Sequence, residues 1–216
     1  MRSMPPHPLQ SRLVAPFVLV VSLILSACVS TGGKNTQPYG QSDLSTALAI
    51  ASATNVGGRM GDITRPLVVA ALIEEDRSNW DPDPDYRRQV LALSYRLIDV
   101  AVIAASREAN SYLVDGIARR FSAREQQVIL DFLNSSRGRS TFDRMFDFFE
   151  VLLESEVFGG PVNEDAFSAE LTMMTRNQPS EVTRFMGLTA DAAVEFASAM
   201  SRNLGTIRRE IDRMAV

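Results

Sequence analysis

Histidine, cysteine and lysine are almost missing from this chain of 216 residues, which holds one of each: His7, Cys28 and Lys34. Beyond residue 34 there is no imidazole, thiol or amine side chain. That excludes Ser-His-Asp and Cys-His nucleophilic sites, zinc sites built on His or Cys, disulfides within the chain and a buried Schiff-base lysine. Asp, Glu, Arg, Ser, Thr and Tyr are all that remain for catalysis. A basic excess is missing too: 22 Lys and Arg against 26 Asp and Glu give a formal charge of −4. A nucleic-acid binder needs a basic patch to displace counterions, so no nucleic-acid partner is expected. Strict apolar–polar alternation over a strand length, bounded by turn signals, is also absent.

What is present begins with the front of the chain. Residues 1–12 carry Arg2 and Arg12 and no acid, and Leu13–Leu25 is an apolar run broken only by Pro16 and Ser22. Thirteen residues fall short of the roughly 20 that span a bilayer. They fit the apolar core of a secretion signal, roughly 7–15 residues long. Leu25-Ser26-Ala27-Cys28 follows directly. These four residues resemble the lipobox of bacterial lipoproteins. The resemblance implies a diacylglyceryl thioether on Cys28, cleavage before it and acylation of the new amine. Cys28 is then the lipidation site, and palmitate on it the membrane contact. Several acyl chains on one residue hold a protein to a bilayer where a single chain binds marginally. Residue 29 is Val rather than Asp. By the sorting rule of enteric lipoproteins this implies the periplasmic face of the outer membrane.

Removing residues 1–27 takes away two arginines and no acid, so the charge becomes −6, and 216 − 27 leaves 189 residues. That is enough for one domain with its own core. The expected organisation is a signal peptide at 1–27, a lipidated N-terminus and flexible tether at 28–42, and a helical domain at 43–216. The stretch 29–42, VSTGGKNTQPYGQS, has the composition of a linker and no apolar periodicity.

From Asp43 onward the spacing predicts an all-α bundle of six to eight helices. The first spans about 43–56 and ends at Gly57-Gly58; the second starts near Thr64, with Pro66 in its first turn. Trp80-Asp81-Pro82-Asp83-Pro84-Asp85 is a sharp stop. A third helix, about 86–106, is apolar over most of its circumference and is expected to be central and buried. A shorter one spans 111–120. Ser122-Ala123-Arg124-Glu125 spells a capping box opening a helix with Val128, Ile129, Phe132 and Leu133 on one face. Asn134-Ser135-Ser136 breaks it. Phe142, Met145, Phe146, Phe149, Leu152 and Leu153 stripe a helix of about 138–157. Asn163 caps one of about 164–177, Pro179 marks a boundary, and the last helix runs about 190–214 with a heptad-like stripe.

Residues 107–158 resemble the DUF2059 family of bacterial envelope proteins. Phe121-Ser122-Ala123-Arg124-Glu125 matches its F-[ST]-x-x-E start. Phe132, Ser135 and Gly138 match its F-Y-x-S-P-x-G-x-K junction, from which Leu133, Ser136 and Ser140 depart. The resemblance implies a helical fold and envelope company, and carries no activity. Read from the residues themselves, Ser135 or Ser136 caps the next helix and Gly138 lets two helices approach closely.

Four groups could carry chemistry. Asp81, Asp83 and Asp85 have calcium-loop spacing, yet Tyr86 and Ala92 stand where an EF-hand needs Gly and Glu, so an acidic turn whose last Asp caps the third helix is expected. Glu74-Glu75-Asp76 reads as a solvated helix end. Arg137, Arg139 and Arg144 could hold an anion at a helix start or form a basic face. The Phe142–Phe149 stripe is core, or else the lining of an apolar-ligand groove. No metal, cofactor or catalytic residue is assigned. The expected function is a non-enzymatic helical binding or interaction module on the envelope, with an envelope protein as possible partner. A carrier of apolar ligands or lipids and a carboxylate-dependent envelope hydrolase are the alternatives.

Overall fold

The computed structural model describes residues 41–79, 84–158 and 164–214. Among them every regular element is an α-helix: α1 (Gln41–Thr54), α2 (Val56–Asn79), α3 (Pro84–Arg120), α4 (Ala123–Asn134), α5 (Ser136–Phe158), α6 (Glu164–Thr175) and α7 (Ser180–Met214). The fold is the all-α bundle that the apolar spacing predicts.

Its axis is the pair α3 and α7, of 37 and 35 residues, each about 50–55 Å long at the usual rise. They share the most extensive helix–helix contact. The reason lies in side-chain size. α3 buries Ala101, Ala105, Ala109, Leu113 and Ile117 at four-residue steps, and α7 buries Ala192, Ala193, Phe196, Ala199 and Met200. Small residues on one helix admit large ones from the other. At Gly116 a Cβ would lie 2.6 Å from Leu188 Cδ1, so α7 fills the space a side chain would need. Arg202 ties the pair outside, reaching Glu108 at 2.5 Å and Glu195 at 3.0 Å.

The remaining helices wrap this axis. α2 packs on α3, α1 on α4 and α3, and α5 on α2 and α4. Phe142, Met145, Phe146, Phe149, Leu152 and Leu153 of α5 are all buried, as their spacing requires. Arg59 of α2 lies 5.0 Å from the Phe146 ring centre and pairs with Asp143 at 2.7 Å.

Several boundaries differ from expectation. Gly57-Gly58 does not separate helices: α1 ends at Thr54, Asn55 turns the chain with φ 43°, and α2 begins at Val56. α2 then runs unbroken through Pro66, which lies in its interior rather than its first turn. The face Met60, Ile63, Thr64, Leu67 and Val68 is buried on both sides of the proline, and that packing offsets a cost of about 3 kcal/mol. The segments 86–106 and 111–120 are one helix, because Ala105, Ala109, Leu113 and Ile117 carry a single buried stripe past Asn110. α7 starts at Ser180, ten residues earlier than expected, since Val182, Phe185, Met186 and Thr189 extend its buried face.

One residue joins α4 to α5. The Ser135 hydroxyl donates to the Phe132 carbonyl at 2.6 Å and accepts from the Gly138 N–H at 2.9 Å. It closes one helix and opens the next. A Cβ on Gly138 would sit 1.8 Å from the Phe132 oxygen, so only glycine fits there.

Candidate functional site

Cys28, with its lipobox and most of the linker, lies outside the described residues, as do Asp81 and Asp83. Asp85 is described. It stands within the first turn of α3, which starts at Pro84, so it is not the cap expected of it. Its exposed carboxylate pairs with Arg88. Glu74, Glu75 and Asp76 belong to α2 by backbone, and their side chains are outside the described part. No group of three or more His, Cys, Asp or Glu able to hold a metal occurs among the described residues. No described helix is long and apolar enough to cross a membrane.

The three arginines near the start of α5 are not gathered around a common point. Arg137 donates to the Arg176 carbonyl just past α6 at 3.4 Å, and Arg139 to the Asn134 carbonyl at the end of α4 at 2.7 Å. Arg144 pairs with Glu170 at 3.6 Å. Two of them thus cover orphan carbonyls at helix C-termini, where cations are favoured. The Phe142–Phe149 stripe is core: Phe142 meets Phe185 at 5.6 Å between ring centres, and Phe146 meets Phe149 edge-on at 5.8 Å.

A polar cluster stands where α3, α4 and α7 meet. Ser122 accepts from the Glu125 N–H at 3.4 Å, and Glu125 Oε2 accepts from the Ser122 N–H at 2.7 Å and hydroxyl at 2.8 Å. This is the capping box written in the sequence. Arg184 arrives from α7. It donates to Glu125 Oε1 at 2.8 Å and to the Arg120 carbonyl at 2.6 Å, and its guanidinium lies 4.7 Å from the Phe121 ring centre. Beneath it, buried Gln126 donates to the Phe121 carbonyl at 3.1 Å.

Partial burial pushes the Glu125 carboxyl up, but the Ser122 N–H and hydroxyl together with Arg184 outweigh it and hold the group below its ordinary range. A general acid or base at neutral pH needs the opposite shift. With both oxygens occupied by Ser122 and Arg184, the carboxylate is a fastening rather than a reagent.

Some of what the helices leave outward is apolar. On α3, Leu93, Arg96, Val100, Ile103 and Arg107 follow one another at 3-4-3-4 spacing, the period of a coiled-coil seam. Leu93, Val100 and Ile103 are 38%, 61% and 52% exposed. The third helix was expected to be central and buried, yet among the described side chains of this half those buried are Ile98, Ala101 and Ala105. The warning in the sequence was Arg96 and Arg107, which share a face with the three apolar residues. A second outward apolar face lies on α1, at Leu44 and Leu48.

Comparison with known proteins returns no matching family model, no matching curated protein and no matching solved structure.

Proposed function

We propose that this chain is a lipid-anchored helical module of the bacterial cell envelope, held on the periplasmic face of the outer membrane, that binds an envelope partner and performs no covalent chemistry of its own. The observation that carries the reading is Leu25-Ser26-Ala27-Cys28 directly after an apolar run of signal length. The likeness of residues 107–158 to the DUF2059 family supports the same compartment.

Two features of the helical part support the binding side of the reading. Glu125, engaged by Ser122 and Arg184, is shifted away from acid–base use. The outward α3 seam offers Leu93, Val100 and Ile103 to a partner helix, a mode in which apolar side chains at three- and four-residue steps supply the contact. An apolar-ligand groove at Phe142–Phe149 has no support, because those side chains pack on each other and on Phe185.

The test is metabolic labelling with palmitate in a Gram-negative host. Wild-type chain takes up label, and Cys28→Ser abolishes it together with membrane retention. Undiminished label in the Cys28→Ser chain overturns the reading.

A further inference from the structure

The outer face of α1 has a chemistry found on no other outward face singled out above. From Leu44 to Gly58 the sequence carries no charged residue. α1 turns Ala47, Ile50 and Ala51 into the core and leaves Leu44 and Leu48 outward, 44% and 52% exposed. These two stand one turn apart on one face, with exposed Ala49 beside them. The α3 seam, by contrast, interleaves its apolar residues with Arg96 and Arg107.

Chain length keeps the α1 face close to whatever holds Cys28. Only residues 29–40 separate Cys28 from the start of α1, and such a segment spans at most about 45 Å. α1 is the described element nearest along the chain to the lipid-bearing residue. We infer that the outer face of α1 rests on the bilayer surface, with Leu44 and Leu48 at the boundary between headgroups and acyl chains, as a second membrane contact beside the lipid on Cys28. An uncharged face enters that boundary without desolvating an ion, and a second weak contact adds strongly to an anchor already in place. The inference rests on the lipoprotein reading of Cys28.

Acylation of Cys28 leaves the full chain without a free thiol, so Leu48→Cys introduces a single one. The lipidated protein, labelled there with an environment-sensitive fluorophore, is reconstituted into phosphatidylethanolamine–phosphatidylglycerol vesicles, with and without brominated acyl chains. Leu44→Cys is a second probe of the same face, and Ile103→Cys reports the α3 seam. The expected result is blue-shifted emission at 48 and 44 that brominated lipid quenches, with aqueous, unquenched emission at 103. Aqueous emission at 48 and 44 on chain that floats with the vesicles overturns the α1 contact and leaves the anchor standing. Equal quenching at 103 overturns it as well, because lipid contact is then not particular to the α1 face. Chain whose mass shows no lipid on Cys28 overturns the lipoprotein reading itself, and this inference with it.

Discussion

The bundle turns two sharp corners by opposite means. At Phe121–Ser122 the chain passes from α3 to α4 through added polar contacts: the reciprocal Ser122–Glu125 cap, the Arg184 clamp on Glu125 and the Arg120 carbonyl, and the Gln126 amide beneath. At Asn55 it passes from α1 to α2 through missing side chains. Gly57 approaches α3 so closely that a Cβ would lie 2.2 Å from the Ser106 carbonyl oxygen. Backbone and side chain then exchange hydrogen bonds across the gap: the Gly57 N–H donates to Asn110 Oδ1 at 3.0 Å, and the Ser106 hydroxyl donates to the Gly57 carbonyl at 2.8 Å. A corner made of several partly exposed contacts loses stability by degrees. A corner made of one close backbone approach has nothing to yield, because its obstacle is main chain.

The largest effect expected from this contrast is at Gly57. Gly57→Ala should cost about 3 kcal/mol, at the upper end for overpacking, and lower Tm by about 6–12 °C in a domain of this size. Thermal unfolding followed by far-ultraviolet circular dichroism measures it. Ser106→Ala should not rescue the variant, since the clash is with a carbonyl that every residue has; rescue would show that the corner bends and would erase the distinction. Gly61, one turn further along α2, sharpens the point. Its added Cβ would meet a side-chain atom, Val102 Cγ1 at 2.8 Å. Gly61→Ala should therefore cost less, about 1–2 kcal/mol, and Val102→Ala should recover most of that in the double variant. Additivity of the two changes would place the obstacle elsewhere.

The two corners also differ in what the sequence discloses. The Ser122–Glu125 cap is local, three residues apart, and its chemistry is spelled out by residue type. The α5 stripe is equally legible, because Phe142, Met145, Phe146 and Phe149 repeat at helical spacing and all are buried. Gly57-Gly58 reads as a helix end, since glycine disfavours helix. Its real use depends on Ser106 and Asn110, 49 and 53 residues away, which no local pattern signals. The same distance hides Arg184, whose partners Glu125 and Arg120 are 59 and 64 residues distant. On α3, apolar residues over most of the circumference conceal which side meets the core; the small residues Ala101, Ala105 and Ala109 settle it by letting α7 come close. Leu93, Val100 and Ile103 face outward as a consequence.

The smallest expected effect lies within the polar corner and tests whether charge builds it. Glu125 and Arg184 are 28% and 41% exposed, so their coupling in a double-alanine cycle should stay below about 1 kcal/mol at neutral pH and shrink with added salt. The sign of its pH dependence is fixed. In the folded chain the Glu125 carboxyl lies below its ordinary value of 4.5. A carboxylate depressed in this way stabilises the fold fully above the unfolded value and loses that contribution as pH falls through the folded one. Coupling measured by urea unfolding should therefore be constant from neutrality down to the ordinary carboxylate value, decline below it and vanish once pH has passed the lower folded value. Arg184 keeps two contacts that do not titrate there, the Arg120 carbonyl and the Phe121 ring. If the Glu125–Arg184 coupling survives in acid, the hydrogen bond from Arg184 to a neutral Glu125 carboxyl carries it, and the α3–α4 corner depends on fixed geometry as much as the glycine corner does.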